Sequence, residues 1–132
     1  MTKLQKLSAL YDCGIDDNGI KDLNLIELDA SNNYKITNIN HMTNLEILKA
    51  SFRSGIDDYG MKDLNLIELY ASNNKKIKNV NHMSRLQKLD ASGWCGINDN
   101  GIKDLNLVEL DASDNPKIKN VNHMTKLQKL NA

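Results

Sequence analysis

The sequence predicts a solenoid of short parallel strands wound around one hydrophobic core, and three observations predict it. The chain repeats with a period of 41 residues: Gly14-Ile15, Gly55-Ile56 and Gly96-Ile97 share a register that also carries Met1 onto Met42, Met83 and Met124. Inside that period lie two shorter units of the pattern L-x-x-L-x-A. Their first leucines are Leu4, Leu25, Leu45, Leu66, Leu86, Leu107 and Leu127, alternately 21 and 20 residues apart. Each unit alone is too small to bury its leucines, so the units must stack, and residues 1–132 form a single domain of about seven strands.

The strands follow from alternation. In LIELDAS, Leu28 and Ala30 point to the core, while Glu27, Asp29 and Ser31 point to the opposite face. Stacking then aligns Leu7, Leu28, Leu48, Leu69, Leu89, Leu110 and Leu130 in one ladder. Asn33, Asn74 and Asn115 recur where the chain leaves the strand, and a buried amide there satisfies backbone groups of its own and the next coil. The residue before each, such as Asn73, should face solvent. In the alternate coils Asp12, Arg53 and Trp94 hold the asparagine's place, so Cys13, Ser54 and Cys95 are expected to turn inward instead. On the return side, GIDDNGIKDL should form a short helical turn with Ile20 and Leu23 inward, and KITNINHM should be extended or 3₁₀.

These units resemble leucine-rich repeats over essentially the whole chain. Leu25, Leu28, Ala30, Asn33, Ile36 and Ile39 look like the family's L-x-x-L-x-L-x-x-N-x-x-I frame, with alanine at the third apolar site. The alternate unit LDASGWCGINDNGIKDL is similar to the cysteine-containing subclass, though Trp94 stands at the cysteine's place and Cys95 one residue later. The resemblance implies an α/β solenoid: a right-handed superhelix with a parallel concave sheet and short helical or 3₁₀ convex segments. It also implies protein binding through the concave face.

Composition narrows the functional classes. Lysine plus arginine equal aspartate plus glutamate at 17 each, so no excess charge draws the chain to nucleic acid or to an anionic membrane surface. The N-terminus lacks the apolar run of a signal peptide, and a cytoplasmic protein is expected. Cys13 and Cys95 lie four coils apart, roughly 19 Å at ~4.8 Å per strand, well beyond the ~7 Å limit for a disulfide. His41, His82 and His123 fall two coils apart, ~10 Å, too far to share a metal ion. The aspartates of GIDDNG, GIDDYG and GINDNG lack the closing glutamate of a calcium loop and read better as turn and cap residues. No cofactor and no metal are expected. Histidines on one side and acids and aromatics on the other leave no nucleophile, base and orienting group in one pocket, so no enzyme is expected either.

Differences between copies mark the candidate binding surface. Core positions hardly change, whereas Tyr11, Phe52, Arg53, Tyr70 and Trp94 replace Asn, Asp or Gly of other copies on the concave face and at the strand exits. Aromatics and arginine anchor interfaces, and Tyr70, Phe52, Arg53 and Trp94 are expected to converge along one rim. Asp90 and Asp111 face each other as like charges on adjacent strands, offset by Lys88 and Lys129 or accepting a basic group. A protein partner is the expectation. The alternative is a structural unit that associates with itself end to end, because Leu4, Leu7, Leu127 and Leu130 belong to ladders with no polar capping coil.

Overall fold

In the computed structural model, residues 3–11 and 13–132 are described; Met1, Thr2 and Asp12 lie outside them. Seven three-residue strands form one sheet: β1 (Lys6–Ser8), β2 (Glu27–Asp29), β3 (Ile47–Lys49), β4 (Glu68–Tyr70), β5 (Lys88–Asp90), β6 (Glu109–Asp111) and β7 (Lys129–Asn131). Every strand pairs in parallel with the next in chain order, which makes a parallel β-solenoid of about six turns. The register is the one the repeat demands: Leu28 lies beside Leu7 and Leu48, and Leu89 beside Leu69 and Leu110.

The core is the sum of these ladders. Leu28, Leu48 and Leu69 are fully buried, as are Ala30, Ala50 and Ala71. The return side adds Ile36 with Ile77, Ile39 with Val80, and Met42 with Met83. Leu7 is only partly buried and Leu130 is exposed, since β1 and β7 each have one neighbouring coil. Stability in such a stack is a nearest-neighbour sum, so inner coils contribute most.

The fold is a β-solenoid with little helix, and the short turns expected in GIDDNGIKDL and its equivalents form. One α-helical turn, α1 (Asp17–Ile20), and two 3₁₀ turns, Tyr59–Met61 and Asp99–Ile102, are all that form among the described residues. Ile20, Met61 and Ile102 anchor them in the core, and Leu23 packs partly against it. Polar side chains hold these turns and the segments beside them. Asp16, Asp57 and Asn98 accept from the N–H of Gly19, Gly60 and Gly101, capping the turn. The aspartates Asp17, Asp58 and Asp99 reach forward one coil to the N–H groups of Thr37, Lys78 and Lys119 at 2.7–2.8 Å. Those bonds hold the KITNINHM-type segments open, where side-chain acceptors replace helical carbonyls. These segments contain turns but no helix.

The asparagine ladder forms with one change of direction. Asn33, Asn74 and Asn115 are buried, but their amides donate to the preceding coil and not the next. Asn74 Nδ2 donates to Ala50 O at 2.8 Å and Ile56 O at 3.1 Å, while its Oδ1 accepts from Lys76 N–H of its own coil. The strand-exit turn of each even coil thereby closes the turn behind it. In the alternate coils Ser54 and Cys95 are buried as expected. Cys13 is exposed; among the described strands β1, which its turn follows, pairs with β2 alone.

Candidate functional site

The strand exits have a common backbone that decides what the surface presents. Tyr11, Asn32, Phe52, Asn73, Gly93 and Asp114 are equivalent, and all lie in the left-handed region at φ 51°, 60°, 59°, 60°, 63° and 56°. Glycine, asparagine and aspartate occupy this region at little cost; tyrosine and phenylalanine do not. Asn73 is therefore no idle solvent-facing residue: it holds the turn, and its Oδ1 accepts from Trp94 N–H at 2.9 Å. The turn throws its side chains outward past the end of the sheet. Tyr11 (64% exposed), Tyr34 (60%), Phe52 (52%) and Trp94 (72%) all stand on this one rim.

The expected patch separates into two surfaces. Phe52 and Arg53 line a groove of about 500 Å³ with Tyr34, Asn73, Lys75 and Lys76. Trp94 continues it by one coil, its ring 5.5 Å from Lys75 Nζ, and lines a second groove with Ser72, Asn73 and Ser92 that is bordered by Asp111 and Asp114. Tyr70, Asp90 and Asp111 instead line a shallow groove of about 170 Å³ on the outer face of the sheet, with Lys88, Glu109 and Lys129. The reason is local. Tyr70 ends strand β4 and points off the sheet face, whereas Phe52, Arg53 and Trp94 lie beyond their strands in turns. Tyr11, on the first coil, lines none of these grooves. Tyr34 is the residue that sequence reasoning missed. Its signal was available, since the equivalent positions are Lys75 and Pro116.

The sheet face is electrostatically balanced. Lys6 pairs with Glu27 at 3.5 Å and Lys88 with Glu109 at 3.9 Å, exposed contacts worth at most ~1 kcal/mol each. Tyr70 donates its hydroxyl to Glu68 at 2.6 Å, and Lys49 Nζ lies 5.8 Å from its ring centroid. That hydrogen bond, with burial and the nearby carboxylates, pushes the phenol up to about 12. Asp90 and Asp111 are register partners, and each carboxylate accepts hydrogen bonds from its own strand exit. Asp90 accepts from Ser92 N–H and Oγ at 3.0 and 2.6 Å. Burial resists the charge on Asp111, but hydrogen bonds from Ser113 and Asn131 and the Lys129 ammonium outweigh it and hold the carboxyl below its ordinary value.

Two of the histidines and one thiol belong to the fold. His41 and His123 place Nε2 3.0 and 3.2 Å from the carbonyls of Ile20 and Ile102, linking each return segment to the coil before it. Among the described residues, no three His, Cys, Asp or Glu side chains are grouped to hold a metal ion. Cys95 is buried, which raises its thiol to about 11, away from nucleophilic use near neutrality. Among the described residues, no helix is long and apolar enough to cross a membrane. Compared with models of protein families, with curated proteins and with solved structures, the chain matches none.

Proposed function

We infer that this solenoid is a protein-binding scaffold of the leucine-rich-repeat type, using the outer, concave face of the sheet and its strand-exit rim. The observation that carries this reading is the placement of Tyr11, Tyr34, Phe52 and Trp94 together on one rim, with more than half of each side chain exposed. Exposed apolar patches of this kind mark interfaces, and aromatic residues supply their anchors. The backbone adds support: Phe52 and Tyr11 hold left-handed positions at which other copies carry Asn, Asp or Gly. Strain kept at an exposed site is better explained by a use for the side chain than by folding. The repeat frame supports the leucine-rich-repeat assignment, with the buried Asn33, Asn74 and Asn115 at the position of the family's asparagine. A right-handed superhelix, a reducing cytoplasmic setting and a non-catalytic role belong to the same reading.

The test is a displayed random-peptide library panned on the immobilised chain, with the selected peptides then titrated against variants. Trp94→Ala and Phe52→Ala should each weaken binding by ~2 kcal/mol or more, the loss expected of an aromatic anchor. Lys119→Ala, on the return side, should bind as the parent does. Peptides that bind all of these variants equally would remove the rim from the interface. End-to-end self-association is the competing reading, supported by the exposed Leu4 and Leu130. It places Lys129 of one copy beside Lys6 of the next, where four of the six strand pairs in the sheet set Lys against Glu, so like charges oppose it.

A further inference from the structure

We propose that the strand-exit rim between β2 and β5 is a docking site for an acidic, extended peptide segment. This rests on the scaffold reading above and names the chemistry of the partner. The four exit segments 31–36, 51–56, 72–77 and 92–97 contain the cations Lys35, Arg53, Lys75 and Lys76 and not one carboxylate. In a chain of zero net charge that is a local excess of one sign, and it coincides with the rim's groove. Three rings, Tyr34, Phe52 and Trp94, stand among these cations. Carboxylates between apolar side chains are the complement of such a surface.

Geometry fixes the length and the limit of the segment. Four exits at ~4.8 Å per strand span roughly 14 Å, which about four or five extended residues cover. The groove that Trp94 shares with Ser72, Asn73 and Ser92 is bordered by Asp111 and Asp114, so an acidic segment stops there. A peptide is favoured over single-stranded nucleic acid by the state of the rings. Lys35 lies 5.9 Å from the Tyr34 centroid and Lys75 5.5 Å from that of Trp94, so the chain's own ammonium groups take one stacking face of each of these two rings.

Trp94 is the single tryptophan and so reports on its own rim. The full chain is titrated with an acidic peptide of about five residues with a central phenylalanine, with its lysine counterpart and with oligothymidine of matching length. Tryptophan emission and calorimetry are read together. The acidic peptide should shift Trp94 emission saturably. Lys75→Glu with Lys76→Glu should weaken it at least about tenfold and flatten its salt dependence, while Lys103→Glu on the return side changes nothing. An acidic peptide that does not bind, or binds the double variant unchanged, overturns the proposal. If the lysine peptide binds instead and Asp90→Asn with Asp111→Asn abolishes it, the scaffold reading stands and the site moves to the sheet face. Binding by no peptide removes both readings. Oligothymidine binding that outcompetes the acidic peptide and is lost in the same lysine variants makes the rim a nucleic-acid surface.

Discussion

Asn74 reaches back to Ala50 across the coil boundary, its Nδ2 donating to the alanine carbonyl at 2.8 Å inside the core. The same amide holds Ile56 O, and its oxygen takes Lys76 N–H, so one side chain satisfies three backbone groups that no strand or helix serves. Asn74→Ala leaves them unpaired and should lower stability by ~1–3 kcal/mol. Asn100→Ala, at an exposed side chain, is the comparison. Coincident urea midpoints for the two variants would show that the ladder contributes nothing.

The equivalent glycines Gly19, Gly60 and Gly101 should respond oppositely to alanine. A Cβ at Gly60 or Gly101 presses on the carbonyl of Thr37 or Lys78 in the preceding coil, whereas at Gly19 it meets Ile15 Cγ2 at an ordinary 3.4 Å. Gly101→Ala should therefore cost about 1–3 kcal/mol as overpacking. Gly19→Ala should be neutral or stabilise by up to ~1 kcal/mol, because it lowers the freedom of the unfolded chain. Thermal melts of the two variants decide it; a shared direction of change would mean that coil contact is not what excludes the side chain.

The two thiols should separate cleanly in alkylation. Cys13 is exposed, while Cys95 is buried and its thiol raised to about 11, so little thiolate is present near neutrality. Mass mapping after a brief iodoacetamide pulse at neutral pH should find the label on Cys13, with Cys95 reacting only after unfolding. Equal labelling of both in the native chain would place Cys95 outside the core.

What the sequence disclosed and what it concealed divide along physical lines. The leucine and alanine ladders were legible because burial imposes one residue type per position, and a parallel register follows once the period is known. The short turns of GIDDNGIKDL and the extended return segments were legible as well, but not the bonds that hold them, since Asp17, Asp58 and Asp99 act on the backbone of the next coil, a contact no local pattern encodes. The candidate residues were found from copy-to-copy differences, which locate exposure but not direction. Tyr70 and Trp94 therefore looked like neighbours, although one points off the sheet and the other sits beyond its end. The shared left-handed φ of the strand exits was hidden for the same reason, because Tyr11 and Phe52 occupy it alongside Asn and Gly.

Tyr70 gives the fold a pH dependence in the alkaline range. Its phenol is raised from 10.0 to about 12, chiefly by the hydrogen bond to Glu68, so the folded state favours the protonated form. Below pH 10 the phenol is protonated in both states and this contribution is complete; it is lost as pH rises from 10 through about 12, where only the unfolded chain readily ionises. A tyrosinate absorbance titration should show one phenol ionising near 12 that disappears in Tyr70→Phe. The variant should also lose less stability across that window. A variant titration curve missing an earlier step would reassign the hydrogen-bonded phenol.

Phe52 sets stability against binding. It holds φ 59°, while the equivalent Asn32 and Asn73 sit at 60°. An L-residue with a bulky side chain gives up on the order of 1 kcal/mol there, a cost that asparagine largely avoids. Little packing offsets it, since the ring is 52% exposed. Phe52→Asn should therefore raise the urea midpoint while weakening rim-directed peptides, because it keeps the turn and removes the ring. Phe52→Ala separates the two effects: it loses the ring but retains a Cβ in the left-handed region, so it should bind as poorly as Phe52→Asn without gaining its full stability. If Phe52→Asn is less stable than the parent, the ring packs more than its exposure indicates and the residue is there for folding. If it is more stable and binds equally well, the strain at this exit serves some other end than the rim.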